Sequence, residues 1–279
     1  MNKEIYPCIW FDKNASEAAQ FYCSVFGNSE IISEDPIVVT FTTHGDKFML
    51  LNGGPIFVAN PSISFYVICD SDEEVIHLHE KLSESGKVLM PLDKYDWSDL
   101  YSFVEDKFGV SWQIIKWKFA NVGKKFIPSF IFTGTKNGQA EAAVKYYTEI
   151  FPNSSIDGIL KYAKDSRELE GNVMHAQFRL NGNTFMAMDS SYNHNFDFNE
   201  AISFVVECDN QEEIDYLWDK LTEEGMESEC GWLKDKFGVS WQIIPSILSE
   251  LMNDPGKRDK VVQAFLKMKK FDIATLLVV

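Results

Sequence analysis

Polar and apolar side chains alternate over residues 174–180, in the run MHAQFRL. His175, Gln177 and Arg179 fall at every second position, so in a β-strand they share one face. An imidazole on such a face can exchange a proton near neutral pH, and an amide or guanidinium can hold a ligand by hydrogen bonds. His175 is the one histidine of the chain within a predicted strand on this face. It is a candidate catalytic or binding residue, against the alternative that it is merely hydrogen-bonded or exposed.

A second polar pattern lies in two identical decamers, DKFGVSWQII, at residues 106–115 and 235–244. Alternation places Gln113 and Gln242 on one face of their strands, whereas Trp112 and Trp241 point to the other face. We expect the two tryptophans to be core residues. The two glutamines are candidates for ligand contact.

Three further residues are candidates for ligand binding. Trp97 and Trp232 lie in predicted loops before a closing strand, where an aromatic ring can form the wall of a pocket. Asp189 ends the strand FMAMD, where it is either a ligand-binding carboxylate or the cap of a turn. Cys230 would be a nucleophile only beside a base, so an inert buried thiol is the favoured interpretation.

These candidates belong to a tandem duplication. Besides the decamer, residues 64–86 match 203–225, and residues 21–29 match 146–154. Each copy shows the pattern of one strand, one helix and three strands twice, so four βαβββ modules make the chain. The predicted units are residues 1–120, residues 124–245 and a helical extension at 246–279 that the first copy lacks.

The two copies differ at the candidate positions. His175, Asp189, Cys230 and Trp232 align with Val38, Asn52, Tyr101 and Phe103. A buried polar group is costly unless it is hydrogen-bonded, so its retention in one copy indicates use. We therefore expect the second copy to hold the better ligand site, with His175→Val and Trp232→Phe weakening binding and Trp97→Phe doing little. We also expect an internal pseudo-dimer, with module pairing within or between the copies left open.

Composition excludes several classes of function. The formal net charge is −16 without a basic cluster, which argues against nucleic-acid binding. The apolar runs are short and interrupted by charge, which predicts neither a membrane span nor a secretory signal. Five cysteines without framework spacing indicate free thiols in a reducing compartment. We therefore expect a cytoplasmic protein.

Several segments together carry a family resemblance. They are IYPCIWF from Ile5, HAQFRLNGNTFMAMD from His175 and CGWLKDKFGVSWQIIP from Cys230, with an FY or YY dipeptide in the first helix of each copy. The chain resembles the vicinal-oxygen-chelate superfamily and, more narrowly, PhnB-like glyoxalase-type domains. The resemblance implies an α+β fold with two glyoxalase-like domains, whose curved mixed sheets each cup a cavity and carry helices on the convex side.

The superfamily is defined by a bound metal, and the positions to which the resemblance assigns its ligands hold poor ligands here. Those positions are Tyr6 and Ile127, the neighbourhood of Ser62 and Ala201, and Gln113 and Gln242. We therefore expect neither a metal nor another cofactor. Some family members are described as a ubiquinone-pathway methyltransferase, but the chain lacks the glycine-rich strand-to-helix turn of a nucleoside cofactor site, so this activity is not expected.

Two main hypotheses follow. In the first, the protein binds a small aromatic or amphipathic molecule in a cavity lined by Trp, Gln and His, without a metal and without turnover. In the alternative it is a lyase, isomerase or dioxygenase-type enzyme that uses His175 with Asp189 as an atypical metal site, or His175 alone as an acid or base. A third class, a scaffold without ligands, requires the cavities to be filled by side chains.

Overall fold

The structure is a computed structural model that describes residues 4–118 and 123–279. It confirms the four βαβββ modules. The first contains β1 (Ile5–Phe11), α1 (Ala15–Phe26), β2 (Ser29–Glu34), β3 (Val38–Thr43) and β4 (Asp46–Asn52). The second contains β5 (Ile63–Cys69), α2 (Asp72–Ser83), β6 (Lys87–Tyr95), β7 (Ser98–Glu105) and β8 (Ser111–Lys116).

The second copy supplies the other two modules. The third contains β9 (Phe126–Phe132), α3 (Ala140–Ile150), β10 (Ser155–Lys161), β11 (Val173–Leu180) and β12 (Asn183–Asp189). The fourth contains β13 (Ile202–Cys208), α4 (Gln211–Thr222), β14 (Met226–Glu227), β15 (Trp232–Lys234) and β16 (Ser240–Pro245). The predicted end of the first unit, at residue 120, lies outside the described residues.

The modules pair between the copies. Sheet A has the order β14-β15-β16-β13-β1-β4-β3-β2, and sheet B the order β10-β11-β12-β9-β5-β8-β7-β6. In sheet A, β1 runs antiparallel to β13 with Ile5 opposite Val206, and in sheet B, β5 runs antiparallel to β9 with Ile63 opposite Phe130. The first module therefore joins the fourth, and the second joins the third. Each sheet needs both copies, so the sheets do not coincide with the predicted sequence units.

A continuous core lies on the helix side of the two sheets. On α1 the apolar stripe that includes Ala18 and Tyr22 is fully buried. Phe48 of sheet A packs against Phe65 of sheet B with ring centroids 5.7 Å apart, and the pair Phe130 and Phe204 repeats this contact at 5.4 Å. These rings join the two sheets into one hydrophobic interior.

The repeated decamer forms the same buried network in both copies. The Asp106 carboxylate accepts hydrogen bonds from the Tyr22 hydroxyl at 2.9 Å, from Trp112 Nε1 at 2.8 Å and from the backbone N–H of Phe108 and Val110. Burial raises the pKa of Asp106, while these four donors oppose that rise.

Asp235 repeats the arrangement with Tyr147, Trp241 and the N–H groups of Phe237 and Val239. Burial raises its pKa too, again against the donors. The identity of the decamers thus has a structural cause, which is the need to satisfy a buried carboxylate. The expectation that both tryptophans are core residues agrees with their full burial.

The face of each sheet opposite to the helices forms a cup. Cup A is this face of sheet A and includes Tyr6, Cys8, Trp10, Trp232 and Gln242. Cup B is the corresponding face of sheet B, with a floor of Tyr66, Ile68, Tyr101, Ile115, Ile127 and Met186.

Beyond β16 the chain continues as α5 (Leu248–Asn253), α6 (Arg258–Phe265) and α7 (Ile273–Leu277). This segment buries Leu251, Val261, Leu276 and, between α6 and α7, Phe271. Among the helices that the structure describes, none combines the length and apolar character of a membrane span.

Candidate functional site

Strand register places His175 and Gln177 in cup B. Gln177 of β11 lies opposite Met186 of β12, a residue of the cup floor, and His175 is two positions along the same strand. On the other side of β11, Leu160 of β10 lies opposite His175. The alternation in the sequence thus predicted the orientation of both polar residues.

His175 is partly buried and has an unusual environment. Its ring makes no hydrogen bond with the residues that the structure describes. Desolvation lowers the pKa of its imidazole below the ordinary value, because burial penalises the charged form. The ring is therefore neutral at physiological pH, with one nitrogen able to donate and one able to accept a hydrogen bond.

Two tyrosines missed by sequence reasoning belong to the same cup. Tyr66 of β5 is a floor residue, and burial followed by the nearby Tyr162 raises the pKa of its phenol. Burial, with a smaller contribution from Glu168, raises the pKa of Tyr162 to about 12. Both hydroxyls remain protonated at neutral pH. Tyr66 lies in the run SFYVIC, which has apolar residues on both faces of the strand. Because polar and apolar residues do not alternate there, the sequence pattern did not identify Tyr66 as a site residue.

Gln113 and Trp97 also lie in cup B, joined by a tyrosine. Gln113 Oε1 accepts from the Tyr101 hydroxyl at 2.7 Å, and its Nε2 donates to Ser64 Oγ at 2.9 Å. The Trp97 ring meets Tyr101 edge to face at 5.5 Å and stacks on Tyr95 at 5.0 Å. Trp97 is 57% exposed, which leaves one of its faces available to a ligand.

The charged side chains at the outer edge of cup B are paired with each other. Gln177 Nε2 donates to Asp157 Oδ2 at 2.9 Å, and Arg179 Nε pairs with the same carboxylate at 3.1 Å. Because the cation and the carboxylate neutralise each other, this edge holds no net charge for an ionic ligand.

Asp189 faces the helices and not the cup. Its Oδ1 accepts from the backbone N–H of Gly138 at 2.8 Å and Ala140 at 3.1 Å, and its Oδ2 accepts from Val173 N–H at 2.9 Å. It therefore fixes the start of α3, as Asn52 Oδ1 does for Ala15 N–H of α1. Of the two interpretations in the sequence, the structure supports the cap, and Asp189 does not join His175 in a site.

Trp232 and Gln242 lie in cup A. Trp232 meets Trp10 edge to face with centroids 6.1 Å apart, and Trp10 Nε1 donates to Gly54 O at 2.7 Å. Gln242 Nε2 donates to Ser203 Oγ at 2.9 Å, and burial raises the pKa of the neighbouring Cys8 thiol to about 12. Cup A is thus lined mainly by aromatic and apolar side chains that contact one another.

The grouping of the candidates in the second copy is therefore wrong. His175 lies in sheet B, whereas Trp232 lies in sheet A, because the third and fourth modules join different sheets. Cys230 is partly buried near the sheet A edge, and burial raises the pKa of its thiol. It is in a different sheet from His175, so the structure does not bring that base to it.

No metal ligand set is present in residues 4–118 and 123–279: they contain no group of three or more His, Cys, Asp or Glu side chains able to hold an ion. Where the resemblance implies a carboxylate, Gln113 and Gln242 present amides already engaged with serine hydroxyls. The described side chains therefore do not fit a divalent cation.

Other concavities lie elsewhere. A cleft of about 810 Å³ is lined by the end of α3 and the start of α4. A second, of about 340 Å³, lies at the turns near His44 and Asn181. Neither includes a residue of cup B, and neither gathers a constellation of chemical groups comparable to that of cup B.

Comparison with known proteins places these features in a family. The family model described as 3-demethylubiquinone-9 3-methyltransferase matches residues 3–115 and again residues 124–244. A PhnB protein from Bacillus cereus is 34% identical over 41% of this chain and 100% of its own, with a TM-score of 0.39. Among the curated proteins no match is found.

Solved structures show the arrangement of the whole chain. Glyoxalase I from Zea mays covers 90% of this chain and 96% of its own, with a TM-score of 0.61 and 11% identity. At this identity the likeness concerns the fold alone. It confirms the α+β fold with two glyoxalase-like domains.

Proposed function

The chain belongs to the family described as 3-demethylubiquinone-9 3-methyltransferase, with a PhnB-like, glyoxalase-type fold, and from that premise we propose that it binds a small aromatic molecule in cup B. The observation that carries this proposal is His175, a neutral and partly buried imidazole with no hydrogen-bond partner among the described residues, above an apolar floor. Because the ring is only partly buried, a ligand in the cup can reach its free donor and acceptor nitrogens.

The chemistry of cup B restricts the ligand. Tyr66, Tyr162 and His175 offer hydrogen-bond donors and acceptors but no charge near neutral pH. Tyr95, Trp97 and Tyr101 offer aromatic surface. A neutral ring that carries a hydroxyl or carbonyl oxygen satisfies both sets of groups.

The simplest test is calorimetric titration with naphthol, a neutral aromatic alcohol. We expect His175→Val to weaken binding about tenfold, which corresponds to about 1.4 kcal/mol. Trp97→Phe should weaken it about threefold through lost ring contact. Trp232→Phe is the matched control, because that ring lies in cup A, and it should leave the affinity unchanged. A larger effect of Trp232→Phe than of His175→Val would overturn the assignment to cup B.

An enzyme remains the second candidate, favoured by one observation. A neutral imidazole in an apolar cup is suited to general base catalysis. Native mass spectrometry of the purified protein would identify a co-purified molecule, and incubation of that molecule with fresh protein would show whether it is altered. Elemental analysis that found a stoichiometric metal would contradict the metal-independent proposal.

We do not propose methyl transfer, although the family description names it. None of the strand-to-helix connections in the sequence carries the G-x-G-x-x-G pattern of a nucleoside cofactor site. The prediction that the chain lacks this activity is checked by incubation with a labelled methyl donor.

We also propose that the chain works as an internal pseudo-dimer in a reducing, cytoplasmic environment. The pairing of each module with one from the other copy supports the first statement, since residues 1–120 alone would leave the inner edges of two half-sheets unpaired. The five free thiols support the second. A stable and monomeric fragment of residues 1–120 would contradict the pseudo-dimer.

A further inference from the structure

The connection between β10 and β11, residues 162–172, is longer than its counterpart in the first module. There the connection between β2 and β3 comprises only residues 35–37. The hairpin of β10 and β11 continues into the longer connection, since Tyr162 N–H donates to Asn172 O at 2.9 Å and Gly171 N–H donates to Tyr162 O at 3.0 Å. Residues 162–172, which we call the insertion, therefore begin and end as an ordered part of sheet B.

Tyr162, the first residue of the insertion, faces cup B. The residue before it, Lys161, pairs with Glu141 of α3 and so lies on the helix side of the sheet. Because successive side chains of an extended chain point to opposite faces, Tyr162 points to the cup. Its phenol is near enough to Tyr66 of the cup floor to add to the rise that burial causes in the pKa of Tyr66. Neither hydroxyl makes a hydrogen bond with the described residues.

Glu168 fastens the middle of the insertion to the segment that follows β12. Its Oε1 accepts from Ser190 Oγ at 2.7 Å, and its Oε2 accepts from the N–H and the Oγ of Ser191, both at 2.6 Å. Since Ser190 Oγ donates to this carboxylate, it accepts from His194 Nε2–H at 2.9 Å. Three hydrogen bonds to one charged group thus hold the insertion against residues 190–191.

These contacts lie on the cup side of sheet B. Ser190 N–H donates to Phe132 O at 2.9 Å, so the pairing of β12 with β9 extends to Ser190. Asp189 faces the helices, and the next side chain, that of Ser190, therefore faces the cup. In the strand order β10-β11-β12-β9, a chain that leaves β10 and reaches Ser190 passes the end of β11. His175 lies two residues after the start of β11, so the insertion borders it.

We propose that the insertion is a wall of cup B, and that Tyr162 on this wall selects ligands that carry an oxygen. The selection rests on the proposed function of cup B, whereas the wall rests on the contacts of the insertion itself. A phenol hydroxyl without a protein partner can donate to a ligand hydroxyl or carbonyl oxygen, but it gains no hydrogen bond from a hydrocarbon. Glu168 is a positioning residue, which acts on the ligand only by holding the wall that carries Tyr162.

The selection is tested by fluorescence titration of the full chain with naphthol and with methylnaphthalene, which has a methyl group in place of the hydroxyl. Wild-type protein should bind naphthol about tenfold more tightly. Tyr162→Phe should weaken naphthol binding about fivefold and leave methylnaphthalene binding unchanged, since it removes only a hydrogen-bonding group. Tyr216→Phe is the matched control, because it removes an exposed tyrosine hydroxyl from α4, outside cup B, and should alter neither affinity.

The outcomes separate this inference from the proposed function. Naphthol binding that His175→Val weakens but Tyr162→Phe does not would overturn the role of Tyr162 and leave the ligand in cup B. Equal weakening of both probes by Tyr162→Phe would overturn it too, because the ring and not the hydroxyl would then be responsible. If wild-type protein binds neither probe, ligand binding in cup B and the selection are both refuted, and the wall is judged by the next experiment.

The wall is tested without a ligand, by Glu168→Ala in the full chain. Amide hydrogen exchange at Ser191 should accelerate at least tenfold, because its N–H loses the acceptor on Glu168. Modification of His175 by diethyl pyrocarbonate, followed by mass spectrometry, should accelerate about threefold as the insertion opens, with the exposed His77 as reference in the same sample. Glu170→Ala is the matched control, since it removes an exposed carboxylate of the same insertion, and should change neither rate.

Unchanged exchange at Ser191 in a folded Glu168→Ala protein would overturn the wall. Faster exchange without faster modification of His175 would also contradict it, because the insertion would then not border that residue. Glu168→Gln keeps one acceptor oxygen and should give intermediate rates, which also serves as the test if Glu168→Ala does not fold. Where naphthol binds, Glu168→Ala should reduce the preference for naphthol as Tyr162→Phe does, and a full preference in an opened insertion would refute the positioning role.

Discussion

Cup A and cup B are made from equivalent strands but are lined by different side chains. At three successive cup-facing positions of the first strand of each copy, cup A has Tyr6, Cys8 and Trp10 where cup B has Ile127, Ser129 and Ile131. The Tyr6 hydroxyl donates to Glu207 at 2.7 Å and its ring lies 3.9 Å below Lys47, so it is fixed within the protein. In cup B the phenol of Tyr66 and the imidazole of His175 have no such fixed partners among the described residues.

The comparison shows which parts of a duplicated protein are free to diverge. The helix-facing side of both sheets keeps the same buried carboxylate and tryptophan in each copy, since a change there would leave donors or acceptors without partners. On the cup-facing side, fewer buried donors and acceptors depend on one particular side chain. In cup A the tyrosine on this face is held by a hydrogen bond within the protein, whereas in cup B Tyr66 and His175 make no hydrogen bond with the described residues.

The largest expected effect is a loss of stability when the buried carboxylate that both copies share is removed. Asp106→Asn and Asp235→Asn should each lower the free energy of unfolding by about 2–3 kcal/mol, because an amide cannot accept from all four donors that surround each carboxylate. Urea denaturation measures the change. Asp99→Asn, at an exposed ion pair, is the control and should leave the free energy of unfolding nearly unchanged. A clearly unequal cost for the two buried aspartates would show that the copies have diverged in their cores as well.

An exchange of residues between the cups should have an intermediate effect. Ile131 of β9 lies beside Met188 of β12, which neighbours the strand of His175. Ile131→Trp, which installs the cup A residue, should fill cup B and weaken naphthol binding about tenfold, or about 1.4 kcal/mol. Trp10→Ile is the reciprocal control, and should reduce stability by leaving a cavity while the affinity of cup B is retained. Unaltered binding by a folded Ile131→Trp protein would place the ligand elsewhere.

The smallest effect is the dependence on pH. Because burial lowers the pKa of His175, its neutral form is favoured in the folded protein, so its contribution to stability is complete above the unfolded value of about 6.5 and declines as the pH falls below it. Naphthol affinity should be constant between about pH 7 and 8 and should fall about threefold as His175 becomes charged at lower pH. Fluorescence titration of wild-type protein and His175→Val distinguishes this group from other acids, since the variant should lose the dependence. A fall of equal size in the variant would exclude His175 as its cause.

The sequence by itself determined the local structure. The duplication, the four modules and the strands β5 and β8 follow from hydrophobic periodicity and turn residues, because side-chain direction along one strand or helix depends on neighbours in the chain. The same rule placed His175 and Gln177 on the face opposite to Phe178, and both copies of the tryptophan in the core.

The tertiary structure alone decided which strands meet. The inner edges of β1, β5, β9 and β13 all offer similar backbone donors and acceptors, so no local pattern distinguishes pairing within a copy from pairing between copies. That choice separated His175 from Trp232 and joined His175 to Tyr66, which lies more than a hundred residues earlier in the chain. The structure also decided between the two interpretations of Asp189, which accepts from three backbone N–H groups of its own module, those of Gly138, Ala140 and Val173. Such pairings depend on the burial of side chains that are distant in sequence, and only the assembled sheets bring them together.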